Sequence, residues 1–429
     1  MRDRLPPGTD GADDPHGIGR KLDGLNFLLA DVRGGLGPYV GVFLITQAGW
    51  DQATLGAILT VSGLIGICAH APLGALIDAT RRKRALLVAA TALLAAAAVA
   101  IVTVPTAPVV FAADVVMAVL GAIFAPVVAA LTMGLVAPAA LAARFGRNAA
   151  FDKMGNVFIA LAAAGVGSWF GQQAVFWLVP LFGAVAVVAT LAIPGDAVDH
   201  RRARGLGDDA QAGDPARDPA PWGILLRQRE FVVLALLAAT FHFANAPMLN
   251  MVSQKLALAH PGRESALTAA AVLIAQLSTI PAAFLLARSG AIGRKPFLLT
   301  ALAALPLRGL LFAFAEDPAL LLAGQVLDGL GAGLFDALLP LLLADAVRGS
   351  GRYTTARGVL GAVQGVGGSL SNVVSGVLIV AAGYDAAFLA LAGLGALVLA
   401  GGWLAMPETA GRQPLSPRAP LSRQAPPGD

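Results

Sequence analysis

The chain has little charge and one cysteine. Only 13% of its 429 residues are Asp, Glu, Lys or Arg, whereas 57% are hydrophobic. A soluble protein contains about 25% charged residues, because its surface must be hydrated. This shortage excludes a soluble enzyme. Cys68 lies in an apolar run, which excludes a disulfide framework and a cysteine-based metal site.

Long apolar runs take the place of the missing charge. A helix needs about 20 mostly apolar residues to cross a bilayer, and the runs are too continuous for a β-barrel. The sequence therefore predicts an all-α membrane protein of twelve transmembrane helices. The twelve predicted spans are residues 25–47, 54–77, 85–104, 109–133, 150–170, 174–194, 231–253, 265–287, 297–315, 319–344, 356–380 and 384–406.

The polar segment 195–230 separates six spans from six, which predicts two six-helix bundles, 25–194 and 231–406. Segments 1–24 and 407–429 are predicted tails, and the first apolar run is too long for a cleaved signal core. With both tails and the linker in the cytoplasm, 25 of the 30 Lys and Arg fall on that side. This bias is the positive-inside rule, so the net charge of +4 reflects topology rather than nucleic-acid binding.

The two halves repeat each other at an offset of about 210 residues, which indicates a duplicated six-helix unit. The matching pairs are Leu120–Ala122 with Leu330–Ala332, Arg147 with Arg357, Gly155 with Gly365, and Arg82–Lys83 with Arg294–Lys295.

The turn after the second span carries a recognisable pattern. Gly74 and Asp78 precede a basic run, Arg81, Arg82, Lys83 and Arg84. This stretch resembles the signature of the major facilitator superfamily, and Pro407–Gly411 is similar to a tail that follows the last helix in that family. Ala79 and Arg81 depart from the usual basic residue and glycine. The resemblance implies two bundles that rock around a cavity lined by spans 1, 4, 7 and 10.

The same resemblance makes the basic turn a cytoplasmic gate that acts on the packing of the two bundles. Gly74 would let the second helix approach a neighbour, and the basic residues can pair with acids or helix C-termini of the other bundle. Drug exporters of this family often carry a Gly-Pro pair in span 5, but this chain has no proline beside Gly165 and Gly167 there. Drug export is therefore disfavoured.

Ionisable residues inside spans are costly and indicate function. Asp328 lies roughly 14 Å into span 10 at 1.5 Å per residue, and we expect it to carry the coupled proton. Asp31 and Asp114 are reserve carriers. Arg308 is the expected charge partner of Asp328, and the opposing interpretation is a purely structural ion pair. The candidate substrate-cavity residues are Arg33, Tyr39, His242, Asn245, Gln325, Phe335 and Asp336.

These features predict a secondary transporter that moves a small solute by alternating access, coupled to protons. The alternatives are an uncoupled facilitator and, in another class, a non-transporting receptor. No metal-ligand motif or phosphate loop is present in the sequence, so we expect no metal, cofactor, nucleic acid or enzymatic activity. The expected partners are the bilayer, a small polar or zwitterionic solute and protons. We expect a functional monomer in a bacterial inner membrane.

Overall fold

The computed structural model describes residues 17–30, 37–137, 140–195, 197–199, 225, 227–286, 292–347 and 353–409. Two predicted site residues, Asp31 and Arg33, lie outside this part of the chain. Within it the secondary structure is helical. The helices are α1 Ile18–Ala30, α2 Gly37–Thr46, α3 Gln52–Ala79, α4 Lys83–Thr103, α5 Ala107–Leu135, α6 Leu141–Phe170, α7 Gln172–Val175, α8 Leu178–Ala192, α9 Arg229–Asn245, α10 Met248–Ala259, α11 Glu264–Leu286, α12 Lys295–Phe314, α13 Pro318–Ala323, α14 Gln325–Ala346 and α15 Tyr353–Ala405.

Ten stretches of the described residues are long and apolar enough to cross a membrane. The longest, Thr355–Ala405, contains two predicted spans, because Gly383 (φ 84°, ψ 172°) interrupts α15. The first predicted span corresponds to α1 and α2 together, and α2 is a shorter apolar helix. The all-α fold with twelve membrane helices is therefore confirmed. Helix α1 begins at Ile18, ahead of the predicted start at residue 25.

The turns fall at two opposite ends of the bundle. We call the end that carries Arg81–Arg84 and Arg294–Lys295 the basic end, and the other the tight-turn end. At the tight-turn end, Gly49, Gly171, Gly262 and Gly383 have φ angles of 72° to 85°. A residue with a side chain rarely adopts positive φ, so glycine is what makes these short reversals between long helices.

Close contacts confirm the internal repeat and correct its register. Gly155 packs on the backbone of Phe27, and Gly367 packs in the same way on Ala239. The two contacts are related by a shift of 212 positions, which takes residue 27 to 239 and residue 155 to 367. Gly367, rather than Gly365, is thus the structural counterpart of Gly155. The mismatch arose because glycines are so frequent in this segment that several registers look alike in sequence.

The buried core also follows the two halves. One hydrophobic cluster draws its residues from positions 22–198, with Ala269 as its one member from further along the chain. Two other clusters belong to the second half. One draws its residues from positions 225–347 and 356–406, and the other draws its residues from positions 248–391. The boundary at 195–230 stays a prediction, since most of that segment lies outside the described residues.

Candidate functional site

A buried arginine lies between three helices of the second half. Arg308 of α12 is 1% exposed, and its guanidinium donates to Asp328 Oδ1 at 2.6 Å, to Asn245 Oδ1 at 2.8 Å and to Gln325 Oε1 at 3.2 Å. We call these four residues the buried arginine site. The structure thus joins the predicted pair Arg308–Asp328 and adds two predicted cavity residues to it.

Small residues make this close approach feasible. Gly331 of α14 faces Ala304 of α12, and a Cβ at Gly331 would come within 2.7 Å of the Ala304 side chain. The guanidinium of Arg308 also lies 5.2 Å from the ring centre of Phe312, on its own helix. A buried cation is tolerated only when paired and hydrogen-bonded. Asp328, whose side chain is 12% exposed, supplies the compensating charge.

A second charged site is open to the interior of the bundle. Asp336 Oδ1 lies 3.7 Å from His242 Nε2, and the Asp336 side chain is 61% exposed against 26% for His242. Gln364 Nε2 lies 3.2 Å from the same imidazole nitrogen. We call His242, Asp336 and Gln364 the open polar site. It brings together two predicted cavity residues and one residue of α15.

Hydrogen bonding assigns the proton on the His242 ring. Nδ1 lies 2.9 Å from the carbonyl oxygen of Ala238, which can only accept. The hydrogen of the neutral ring is therefore on Nδ1, and Nε2 is left to accept from Gln364 or, when protonated, to donate to Asp336. Nε2 thus faces two partners, Gln364 and Asp336.

Two phenylalanine rings pack beside His242 of the open polar site. Phe335 and Phe241 stack with ring centres 4.0 Å apart, and both are 1% exposed. Phe335 therefore supports His242, whose ring centre is 5.9 Å away, rather than lining a cavity. Tyr39 and Gln325 are likewise fully buried in this state. These three residues were predicted to line the cavity, and in this state their side chains are buried.

Two cations outside the predicted set act on Asp336. Lys153 of α6 and Arg357 of α15 are exposed, and both interact electrostatically with this carboxylate. Lys153 Nζ also donates to Gln276 Oε1 at 3.1 Å, which joins α6 of the first half to α11 of the second. Nothing in the sequence shows which side of a helix faces inward, so the sequence alone does not select these two cations.

The reserve carriers lie elsewhere. Asp114 accepts a hydrogen bond from Ser62, between α5 and α3 of the first half. Asp31 cannot be placed within the described part of the chain.

The basic turn binds the ends of helices in its own half. Lys83 is 2% exposed and donates to Ile77 O at 2.8 Å, and Arg84 donates to Leu191 O at 2.6 Å. These carbonyls lie at the C-terminal ends of α3 and α8, where cations are favourable. The repeat does the same, since Lys295 donates to Trp403 O at 2.7 Å. Arg81 and Arg82 are exposed, and the side chain of Asp78 is outside the description.

The sequence reasoning missed one ion-pair cluster. Asp23 of α1 is 5% exposed and binds Arg144 and Arg147 of α6, the latter at 2.9 Å. The available signal was the spacing of the two arginines, which places them on one face of a helix. Asp23 falls in the predicted N-terminal tail, so the sequence predicts no ion pair within the bundle for it. Among the described residues no cluster of His, Cys, Asp and Glu fits a metal ion.

The two halves meet near the tight-turn end. Thr60 Oγ1 of α3 donates to Ser369 O at 2.7 Å and accepts from Val373 N at 3.1 Å, both on α15. Gln52 Nε2 donates to Tyr384 Oη at 3.0 Å, and Tyr384 donates onward to Gln254 Oε1 at 3.0 Å. This network closes the tight-turn end of the space between the halves.

Toward the basic end, three glycines of the same helices have open space beside them. A Cβ added at Gly74, Gly358 or Gly361 would meet no heavy atom of the described residues within 4 Å. Gly74 is therefore not in contact with a neighbouring helix in this state. The arrangement is a cavity sealed at one end and open at the basic end.

Comparisons with known proteins agree with this architecture. The model of the Major Facilitator Superfamily matches residues 23–303 and 244–426. Two relatives from Mycobacterium tuberculosis are 42% identical over 402 residues, which is 92% of this chain and 94% of theirs. They are named uncharacterized MFS-type transporters, MT2531 in strain CDC 1551 / Oshkosh and Rv2456c in strain ATCC 25618 / H37Rv.

Solved structures show the same fold at low identity. A D323A mutant of the nucleoside transporter NupG is 16% identical, with a TM-score of 0.76 over 91% of this chain and all of that one. A D-xylose-proton symporter is 15% identical, with a TM-score of 0.68 over 92% of this chain and 98% of its own.

Proposed function

The chain belongs to the Major Facilitator Superfamily, and from this premise we propose that it moves a small polar solute across the membrane by alternating access, driven by a proton gradient. The observation that carries the proposal is the pairing of Arg308 with Asp328 beside an open polar site. A transporter needs a group that can take up a proton and a surface that can bind solute. This chain has a candidate for each, and Asp328 of the first lies eight residues, about two turns of α14, before Asp336 of the second.

Asp328 is the proposed proton carrier. In the state described here its carboxylate is paired with the guanidinium of Arg308 at 2.6 Å. A proton on Asp328 would remove the charge that compensates Arg308 and weaken the link between α12 and α14. The arrangement of the second half would then change with protonation, which is what coupling requires. Asp114 and Asp31 remain the reserve carriers.

The open polar site is the proposed solute site. His242 Nε2 and Asp336 Oδ1 lie 3.7 Å apart, and Lys153 and Arg357 add positive charge around the same carboxylate. Groups of both signs favour a polar or zwitterionic solute, because each charged group of the solute can be matched on binding. Lys153 belongs to the first half, so a solute bound here would contact both halves.

The proposed orientation places the basic end in the cytoplasm, with both termini and the linker on that side. The excess of Lys and Arg in those segments supports it. The cavity is then open to the cytoplasm in this state. The mycobacterial relatives support a bacterial inner membrane as the location, and we propose that a single chain is the working unit.

The experiment is Asp328→Asn in proteoliposomes, first screening a panel of sugars, nucleosides and amino acids for proton movement with wild type. The variant should lose gradient-driven accumulation of the active solute and retain its exchange across the membrane. Asp317→Asn, an exposed acid at a helix start, is the matched control. If Asp328→Asn folds poorly, Arg308→Gln combined with Asp328→Asn removes both charges and avoids a lone buried cation.

Normal accumulation with its normal pH dependence in the Asp328 variant would make the ion pair structural. Solute flux without proton movement in wild type would instead favour the uncoupled facilitator. Solute binding with no flux would favour a receptor.

A further inference from the structure

A second cleft lies on the outside of the first half, away from the central cavity. It has a volume of about 510 Å³ and lies between α4, α5 and α8 at the basic end. Its floor is a run of small side chains on α4, Ala85, Ala89 and Ala92, and its walls include Leu131 of α5 and Leu191 of α8. Nothing in the transport proposal uses this cleft.

The rim of the cleft is strongly cationic. Arg81, Arg82, Lys83 and Arg84 all line it, and the lining residues include no acidic side chain. Arg84 donates to a backbone carbonyl, which does not neutralise its charge. Arg81 and Arg82 are exposed and form no ion pair with an acidic side chain of the described residues. The rim therefore offers a binding place for an anion.

The floor of the cleft faces the surroundings of the bundle. Ala85, Ala89 and Ala92 are exposed although they belong to a membrane-crossing helix, and Leu191 at the edge is 55% exposed. Helix α4 packs against α5 and α8 on its other sides. An apolar exposed face on such a helix is covered by lipid chains, and basic residues at the helix end lie at the level of the headgroups.

We propose that this cleft holds one anionic phospholipid, with its phosphate at Arg81, Arg82 and Arg84 and an acyl chain along the alanine floor. Charge complementarity selects an anionic headgroup, and the apolar floor selects a lipid over a free anion. The small alanine side chains of the floor leave a groove wide enough for the acyl chain of the lipid. This site is independent of the transported solute and of the direction of transport.

The test is a titration of the full-length protein in detergent with phosphatidylglycerol, followed by native mass spectrometry. Wild type should bind phosphatidylglycerol in preference to zwitterionic phosphatidylethanolamine. A basic residue beside an anionic lipid contributes about fivefold in affinity, so Arg81→Gln combined with Arg82→Gln should weaken binding roughly 25-fold. Ala89→Phe should also weaken binding, since it fills the groove and leaves the charge unchanged.

Matched controls separate the cleft from general charge and bulk. Arg227→Gln combined with Arg229→Gln removes two exposed arginines near the same end but outside the cleft, and Ala96→Phe adds a ring to an exposed position of α4 outside its lining. Both should bind like wild type. Equal binding of the two lipids, or equal losses in the controls, would overturn the proposal. Complete displacement of the lipid by inorganic phosphate, with Ala89→Phe unaffected, would also overturn it, since the site would then take a free anion.

Discussion

Helix α3 of the first half packs against helix α15 of the second half, and the contacts at the two ends of this helix pair differ. Toward the tight-turn end they touch through glycine: a Cβ at Gly56 or Gly376 would come within 3.0 Å of the backbone of Asn372 or Gln52. Toward the basic end, Gly74 and Gly361 have open space beside them. In this state the two helices therefore contact each other closely through glycine at one end, and the glycines at the other end make no such contact.

This difference suggests a reason for the glycines at the basic end, which have no neighbouring helix beside them in this state. A helix that must pack closely at one end in one state, and at the other end in the opposite state, needs small residues at both ends. We propose that Gly74 and Gly361 serve this purpose at the basic end in the opposite state. Substitutions at the two ends should accordingly have different consequences for folding and for transport.

The largest effect is expected at the sealed end, with Gly56→Trp. The ring has no room against Asn372, and overpacking of about 3 kcal/mol would lower the population of the sealed state over a hundredfold. Transport should be lost, and cysteines placed at the tight-turn end, in a Cys68→Ser background, should become reactive from that side. Gly165→Trp is the control, because its Cβ would meet no described atom within 4 Å. Unchanged reactivity would show that the seal lies elsewhere.

Gly361→Trp should have the next largest effect, at the open end. The ring fits the present state, so thermal stability should equal that of wild type. Closure of the basic end should be blocked, and transport should fall while solute binding from the basic end persists. Measuring both stability and uptake separates this variant from Gly56→Trp. If Gly361→Trp transports normally, these helices do not meet at the basic end.

A smaller effect is expected from Thr60→Val, which keeps the shape and removes two hydrogen bonds to α15. At about 1 kcal/mol each, their loss should shift the balance between the two states roughly thirtyfold toward opening of the tight-turn end. Thr103→Val removes a hydroxyl that bonds only within α4 and is the control. Equal labelling rates in the two variants would assign these bonds to general stability.

Much of the architecture could be predicted from the sequence, because a bilayer sets the length and polarity of each span. The pairing of Arg308 with Asp328 was also predictable, since neither charge tolerates burial alone. The faces of the helices were not. Phe335 and Gln325 differ little from cavity residues in type, and only packing shows that they are buried while Lys153 is exposed.

The basic turn gives a second example. The family resemblance implies a gate at this turn, and in this state Lys83 and Arg84 donate to α3 and α8 of their own half. A cation satisfies any nearby helix C-terminus equally well, so the sequence cannot choose between partners. In the structure these cations bind the helix ends that lie nearest to them.

The measurement that tests the central claim most directly is a pair of spin-label distances across the two ends. Labels at Gln47 and Ala381 report the tight-turn end, and labels at Ala79 and Gly358 report the basic end. Replacing Asp328 by Asn imitates the protonated carboxyl and should lengthen the first distance while shortening the second. Two distances that stay at their wild-type values, or that change in the same direction, would contradict a rocking motion governed by the charge of Asp328.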